Sequence, residues 1–177
     1  TFRYETKQTR SFIRVREIHF FEAHTAHVDE EDATRQINED LEIVKNLMND
    51  LNFPVLVTKR PVWDTFPGAW YTIDIDVIMP DGRTLQVASV HHYRDQWANA
   101  FDVKYEGESG EQKYVHQTTY GMSERLLGAT VATHGDDKGL IMPPSIAPIQ
   151  VVVIPILSKD GSDEIMYAAQ KIVQELK

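Results

Sequence analysis

The chain has 177 residues, 42% hydrophobic and 25% charged, which is enough to bury an ordinary core and excludes a disordered chain. It contains no cysteine, so disulfides and thiolate zinc sites are excluded. Its formal charge of −9 excludes a general nucleic-acid coat, because phosphate binding draws on net Lys and Arg, and any such contact would be local.

Residues 1–5 alternate as a strand, TKQTRS is polar and cationic, and SFIRVREIHFFEA alternates again. A hairpin is expected there, with Lys7 and Arg10 in its loop. Asp29 is placed to cap a helix whose first turn carries Glu30, Glu31 and Asp32, where the helix dipole favours anions. Apolar residues then recur from Ala33 through Ile37, Leu41, Val44, Leu47 and Met48 to Leu51, so one face of a long helix should pack against another element. FPVLVT reads as a short strand, and KRPVWDTFPG as a loop punctuated by Pro61, Pro67 and Gly68.

WYTIDIDVIM and RTLQVASVHH alternate strictly about a PDG turn, and FDVKYE and KYVHQTTY do so about GESGE, giving two hairpins. A helix over roughly 122–133 follows, and the chain then breaks at HGDDKG and two prolines. Strands and helices are grouped rather than regularly alternating, which predicts an α+β fold with a largely antiparallel sheet. Beyond Pro144, the strand-like VVVIPIL and an amphipathic helix opened by Gly161 predict the start of a second, α/β domain, so the boundary is set at 148/149. The longest apolar run, IQVVVIPIL (149–157), is too short to cross a bilayer, and a soluble intracellular protein is expected. With no initiator Met and a fresh β–α unit at its end, the chain is expected to be a piece of a longer one.

Arg3 and Glu5 share one face of the first predicted strand, Arg14 and Arg16 one face of the second, and Gln86 and His91 lie on the strand at 84–92. With Arg125 on a neighbouring helix, this set suits a polyphosphate carrying a purine: guanidinium is always charged, and its fork can hold phosphate oxygens bidentately. The alternative reading of the same spacing is a row of solvent-facing ion pairs. No Gly-rich phosphate loop, G-x-S-x-G or reactive thiol is present, so covalent nucleophilic catalysis has no candidate. His24, His27, His91 and His92 offer imidazoles and Glu22 a carboxylate, but H-E-x-x-H on a helix is missing, and no protein-held transition metal is expected.

FRYE followed by RSFIRVREI and FEAHTAH resembles motif 2 of a class II aminoacyl-tRNA synthetase, and specifically the prolyl enzyme of the archaeal and eukaryotic branch. PDGRTLQVASVHH is similar to that family's segment around a Gln, a Ser or Thr and a His-His pair. The run from YVHQTTYGMSERLL to IQVVVIPI resembles motif 3 and the passage into the anticodon-binding domain. The resemblance covers nearly the whole chain. It implies the class II antiparallel sheet flanked by helices and ATP-dependent attachment of proline to tRNA(Pro), in a cytoplasmic homodimer outside any membrane.

By the same resemblance, Arg3 and Arg125 would be catalytic, and ATP would meet Arg3, Glu5, Arg14, Val15, Gln86, Ser89, Ser123 and Arg125. Mg²⁺ would ride on ATP near Gln86. Arg3, Phe20, Glu22, His24, Phe66 and His91 would shape the proline pocket, and Lys7 and Arg10 would approach the tRNA acceptor end. Gly121, Ser123, Gly128 and Ala129 would leave room for a nucleotide against Arg125. Phe20, Tyr93–Trp97 and Glu124 depart from the family's usual residues. Motif 1 and the segment that grips proline's imino group are missing, which implies that the piece alone is inactive. A non-catalytic synthetase-like binding or regulatory module is the alternative.

Overall fold

The computed structural model describes all of residues 1–177. They divide into two compact units, Thr1–Pro143 and Pro144–Lys177. The first unit is built on strand β1 (Phe20–His27), helix α1 (Glu30–Asp50), strand β2 (Val55–Lys59), strand β3 (Tyr71–Ile78) and strand β4 (Thr84–Arg94). Helix α2 (Gln96–Phe101), strands β5 (Lys104–Glu106), β6 (Gln112–Tyr114) and β7 (His116–Ser123), and helix α3 (Arg125–His134) complete it. Five strands form one antiparallel sheet in the order β1-β7-β4-β3-β2.

Helix α1 forms where its sequence signals it. The Asp29 carboxylate accepts the Asp32 N–H at 2.8 Å, satisfying one of the orphan donors of the first turn. Ala33, Ile37, Val44 and Met48 are almost fully buried on one stripe, which lies across β4 and β7. Ile75, Val77 and Val90 supply the opposing layer from the sheet. Each such aliphatic contributes about 1.5–3 kcal/mol by leaving water.

Period-two alternation decides which histidines share a face. His91 and Ser89 lie on one side of β4, while Val90 and His92 turn to the other and are fully buried. His24 and His27 are separated in the same way on β1. His27 is buried, bonded to Asp32 at 2.9 Å and Thr25 at 2.7 Å. Burial pushes the His92 imidazole below its ordinary pKa. The unfolded chain therefore takes up a proton near pH 6.5 that the folded chain refuses, so stability falls as pH drops through that value. Urea midpoints of the full-length protein are expected to decline from pH 7.5 to 5.5, and His92→Leu to flatten that decline.

Four expectations are corrected. The segment 1–19 forms no continuous strand, only isolated bridges such as Phe2–Glu17 with the Arg3 N–H on the Arg16 carbonyl at 2.8 Å. Phe2 and Tyr4 remain exposed, so its alternation has no apolar layer to bury, and Phe12 sits at φ +60°, which breaks an extended run. The second hairpin is divided. β5 and β6 pair in a small sheet of their own, while β7 leaves them after the buried Val115 and joins the main sheet between β1 and β4. Residues 96–101, for which no element was expected, form α2, held by stacking of Trp97 on Phe101 one turn later.

The fourth lies in the second unit, where VVVIPIL forms no strand. No partner strand stands beside it there, and a strand exists only through its ladder. Helix α4 (Ser162–Glu175) forms as expected, and Val153 and Pro155 face its Met166, Ala169 and Val173 across a gap of about 220 Å³.

Candidate active site

The 1–19 segment folds back over the face of the main sheet opposite α1 and encloses a cavity of about 420 Å³ with β1, β4, β7 and the start of α3. Of the residues singled out in the sequence, Arg3, Glu5, Arg14, Val15, Phe20, Glu22, Gln86, Ser89, His91, Ser123 and Arg125 all line it. His24 stands just behind, bonded through Nδ1 to the cavity-lining Thr119 at 2.7 Å and through Nε2 to Glu22 at 3.0 Å. Phe66 is outside the lining and packs its ring on His91, centroids 5.1 Å apart. Lys7 and Arg10 are exposed beyond the cavity, and Arg10 exchanges backbone bonds with Arg14 at the turn of the segment.

Arg125 is fixed before any ligand arrives. Its Nε–H donates to the Ile13 carbonyl and its Nη1 to the Gln86 carbonyl, both at 3.1 Å. The backbone N–H of Arg125 donates to Ser123 Oγ at 3.3 Å. The two carbonyls take the Nε–H and one Nη1 proton, and Nη2 with the other Nη1 proton is left without a protein partner. Burial lowers the Arg125 pKa below its ordinary value, with Arg3 next and Arg14 adding repulsion while Glu124 opposes them. The group stays charged, since an arginine titrates only far above neutrality.

Glu5 is the counterweight. Its side chain is 4% exposed, accepts from Arg14 Nη2 at 2.7 Å and Nε at 2.8 Å, and lies 4.0 Å from Arg3 Nη1. It holds Arg14 and Arg3 at the cavity rather than reaching into it as an independent contact.

Of the small residues, Gly121 and Ser123 line the cavity, whereas Gly128 and Ala129 do not. A Cβ on Gly128 would lie 2.7 Å from Ile13 Cδ1 and 3.0 Å from Phe12 Cβ, and one on Gly121 2.9 Å from Glu22 Cγ. Gly128 therefore admits the segment whose Ile13 carbonyl orients Arg125, and Ala129 is fully buried. Both lie where space for a nucleotide was expected. Gly128→Ala is expected to cost about 1–2 kcal/mol through overpacking, read as a lower denaturant midpoint, with activity reduced further because Ile13 shifts.

Thr119 and Glu124 are among the lining residues not picked out as site residues from sequence. Thr119 orients His24, and its place directly opposite His24 in the β1–β7 register is a pairing no local pattern reveals. Glu124, noted only as a departure, forms no ion pair with Arg125 but bonds His19 instead. Its Oε1 accepts the His19 N–H at 3.2 Å while its own N–H donates to the His19 carbonyl, and its buried Oε2 has no partner. His24 and His91 reach the cavity side while His27 and His92 do not, and no group of three or more His, Asp or Glu converges closely enough to hold a metal.

Three arginines thus line the cavity, Arg3 and Arg14 from the 1–19 segment and Arg125 from the start of α3, and the chain as a whole resembles known proteins. The family model for the class II tRNA synthetase core domain (G, H, P, S and T) matches residues 1–134. The chain belongs to the class II tRNA synthetase core family. Within it, this synthetase chain is 57% identical to a proline–tRNA ligase of Thermococcus kodakarensis over 99% of its own length and 37% of the relative's. It is 53% identical to that of Methanosarcina mazei, over all of its length and 37% of the relative's. Among solved structures, a Giardia lamblia prolyl-tRNA synthetase in complex with prolyl-adenylate superposes with a TM-score of 0.88 at 39% identity, covering 99% of this chain and 36% of that one. A Cryptosporidium parvum prolyl-tRNA synthetase complexed with L-proline and AMP gives 0.86 at 33% identity, covering 98% and 38%. The chain thus spans little more than a third of the length of these relatives. No helix in it is long and apolar enough to cross a membrane.

Proposed function

We propose that this chain supplies the nucleotide- and proline-facing walls of a proline–tRNA ligase, which activates proline with ATP and transfers it to tRNA(Pro). The observation that carries the reading is the pre-set Arg125, held by two carbonyls opposite Arg3 and Arg14 in one cavity. The similarity to proline–tRNA ligases supports the substrate.

In this reading Arg3 holds the α-phosphate and the proline carboxylate, and Arg125 meets the nucleotide from the far end. Glu5 keeps Arg14 beside Val15 at the phosphates, and Gln86, Ser89 and Ser123 border the nucleotide. Phe20, Glu22 and His91 shape the proline side, with His24 and Phe66 behind them. Lys7 and Arg10, exposed on the outer turn, approach the tRNA acceptor end.

The reaction needs no protein nucleophile. An oxygen of the proline carboxylate bonds to the α-phosphorus as the bond to pyrophosphate breaks in line. Arg3 and Arg125 stabilise the charge that grows on the phosphate oxygens, and they do so pre-oriented. Positioning supplies much of the remainder. The terminal ribose hydroxyl of tRNA then attacks the proline carbonyl and AMP leaves.

Magnesium fits the donor set, since Glu124, whose buried Oε2 has no partner, lines the cavity with Gln86 and Ser89, and all three offer hard oxygens. Bound there with ATP, it would neutralise phosphate charge. The full-length enzyme is read as a cytoplasmic homodimer, with residues 149–177 beginning its anticodon-binding domain.

ATP–pyrophosphate exchange by the full-length enzyme tests this, comparing proline with threonine, alanine and cysteine. Proline-dependent exchange is expected. Exchange with none of them would point instead to a non-catalytic binding module.

A further inference from the structure

Thr72, absent from every site assignment above, sits directly opposite His91 in the β3–β4 register and is almost fully buried. Its Oγ1 makes two bonds. It accepts the backbone N–H of Phe66 at 3.0 Å and meets His91 Nδ1 at 2.9 Å. On the other side of the ring, His91 Nε2 meets Ser89 Oγ at 3.0 Å. The Phe66 ring then packs on the His91 ring, and on Tyr93 at 6.2 Å. One hydroxyl therefore ties the loop before β3 to the only histidine that lines the cavity.

We infer that Thr72 is a positioning residue for proline recognition, setting the His91 tautomer and the Phe66 loop together so that Ser89 presents its hydroxyl proton to the cavity. After accepting from the Phe66 N–H, the Thr72 hydroxyl still holds its own proton, and in this assignment it donates that proton to His91 Nδ1. His91 then carries its own proton on Nε2 and donates it to Ser89 Oγ. The Ser89 O–H is left as a donor aimed at the ligand, and the aromatic wall behind His91 is fixed by the same atom. This rests on the proline reading proposed above.

The arrangement has a pH signature. A hydrogen bond into Nδ1 favours the neutral ring. Burial, the largest influence, already lowers the His91 pKa, against the pull of Asp74 on β3 and Glu22 on β1. His24 on β1 and Tyr93 on β4 are the other titratable groups near the ring, and β7 presents only Thr119 to it. Removing the Thr72 proton removes one restraint on protonation at Nδ1, so the His91 pKa should rise.

The test uses the full-length enzyme. Thr72→Val, which keeps the branched shape, is expected to raise the KM for proline roughly tenfold and that for ATP by less, since Ser89 also borders the nucleotide. It should also move the acid limb of kcat/KM for proline to higher pH. Thr72→Ser is expected to restore the wild-type values to within about threefold. Unchanged proline KM and acid limb in Thr72→Val, or equal impairment of Thr72→Ser, would overturn the inference. Nitrogen-15 histidine NMR of the unmodified enzyme provides a readout that survives a misfolded variant and needs no proline. An Nε2–H tautomer at His91 is expected, and an Nδ1–H tautomer would refute the relay. Wild-type enzyme without proline-dependent exchange but with the Nε2–H tautomer would instead defeat the proposed substrate and leave the hydrogen-bond relay standing.

Discussion

Replacing Arg125 by alanine in the full-length enzyme is expected to slow proline-dependent ATP–pyrophosphate exchange by about two to three powers of ten, as removing one pre-oriented donor at a developing negative charge does elsewhere. The size of the effect follows from the guanidinium's preparation. The Ile13 and Gln86 carbonyls hold it in place, so no reorganisation is needed when charge appears on the phosphate. Stability should fall much less, because carbonyls that lose a donor are more easily left under-satisfied than amides. Arg125→Lys should recover less than about a tenth of the lost rate, since a point charge cannot bond both carbonyls and also present a fork to the ligand. An alanine variant with unchanged exchange would remove Arg125 from the chemistry altogether.

The second large effect concerns stability. Arg60→Ala is expected to destabilise the synthetase domain by about 3 kcal/mol near neutral pH, read as a shift in its denaturant midpoint. Arg60 Nε bonds Asp74, its Nη2 reaches Asp76 at 3.3 Å, and its backbone N–H donates to the Thr72 carbonyl. Asp74 and Asp76 are both more than nine-tenths buried, and Asp74 Oδ1 already lacks a partner. Without the guanidinium, two carboxylates would face each other out of water.

Burial, the leading cause, already raises the Asp76 pKa, with Arg60 opposing it and Asp74 reinforcing it. Losing Arg60 raises it further. A carboxyl whose folded pKa lies above its unfolded value contributes most below the unfolded pKa and loses that contribution as pH rises through the folded one. The penalty of Arg60→Ala should therefore be largest at neutral and alkaline pH and shrink as the solution is made acidic. A penalty independent of pH would mean that the loop, rather than the carboxylates, depends on Arg60.

What could be read from sequence was what local chemistry decides. Asp29 and the stripe from Ala33 to Met48 located α1, because a cap and a helical period need only neighbouring residues. Arg3, Arg14 and Arg125 were named from sequence and line one cavity, although the strands invoked for Arg3 and Arg14 do not form and Arg16, named with them, is not in the lining. Partners across long sequence separations were not legible. The bond between Glu124 and His19, the Thr72–His91 pairing and the Ile13 carbonyl on Arg125 depend on strand register and on how the 1–19 segment folds back. Register here includes irregularities at Ile75/Asp76 and at His92/Arg94 that no periodic pattern announces. Strands were over-assigned in residues 1–5, where alternation had no layer to bury, and in VVVIPIL, which has no partner strand.

The central claim is that one cavity between the 1–19 segment and the sheet receives both ATP and proline. A crystal structure of the full-length enzyme with proline and a non-hydrolysable ATP analogue tests it most directly. The expected result places the α-phosphate within about 2.7–3.2 Å of Arg3 nitrogens, the nucleotide against Arg125, and proline beside Phe20, Glu22 and His91. A nucleotide bound outside this cavity, or bound with both Arg3 and Arg125 free of it, would contradict the claim.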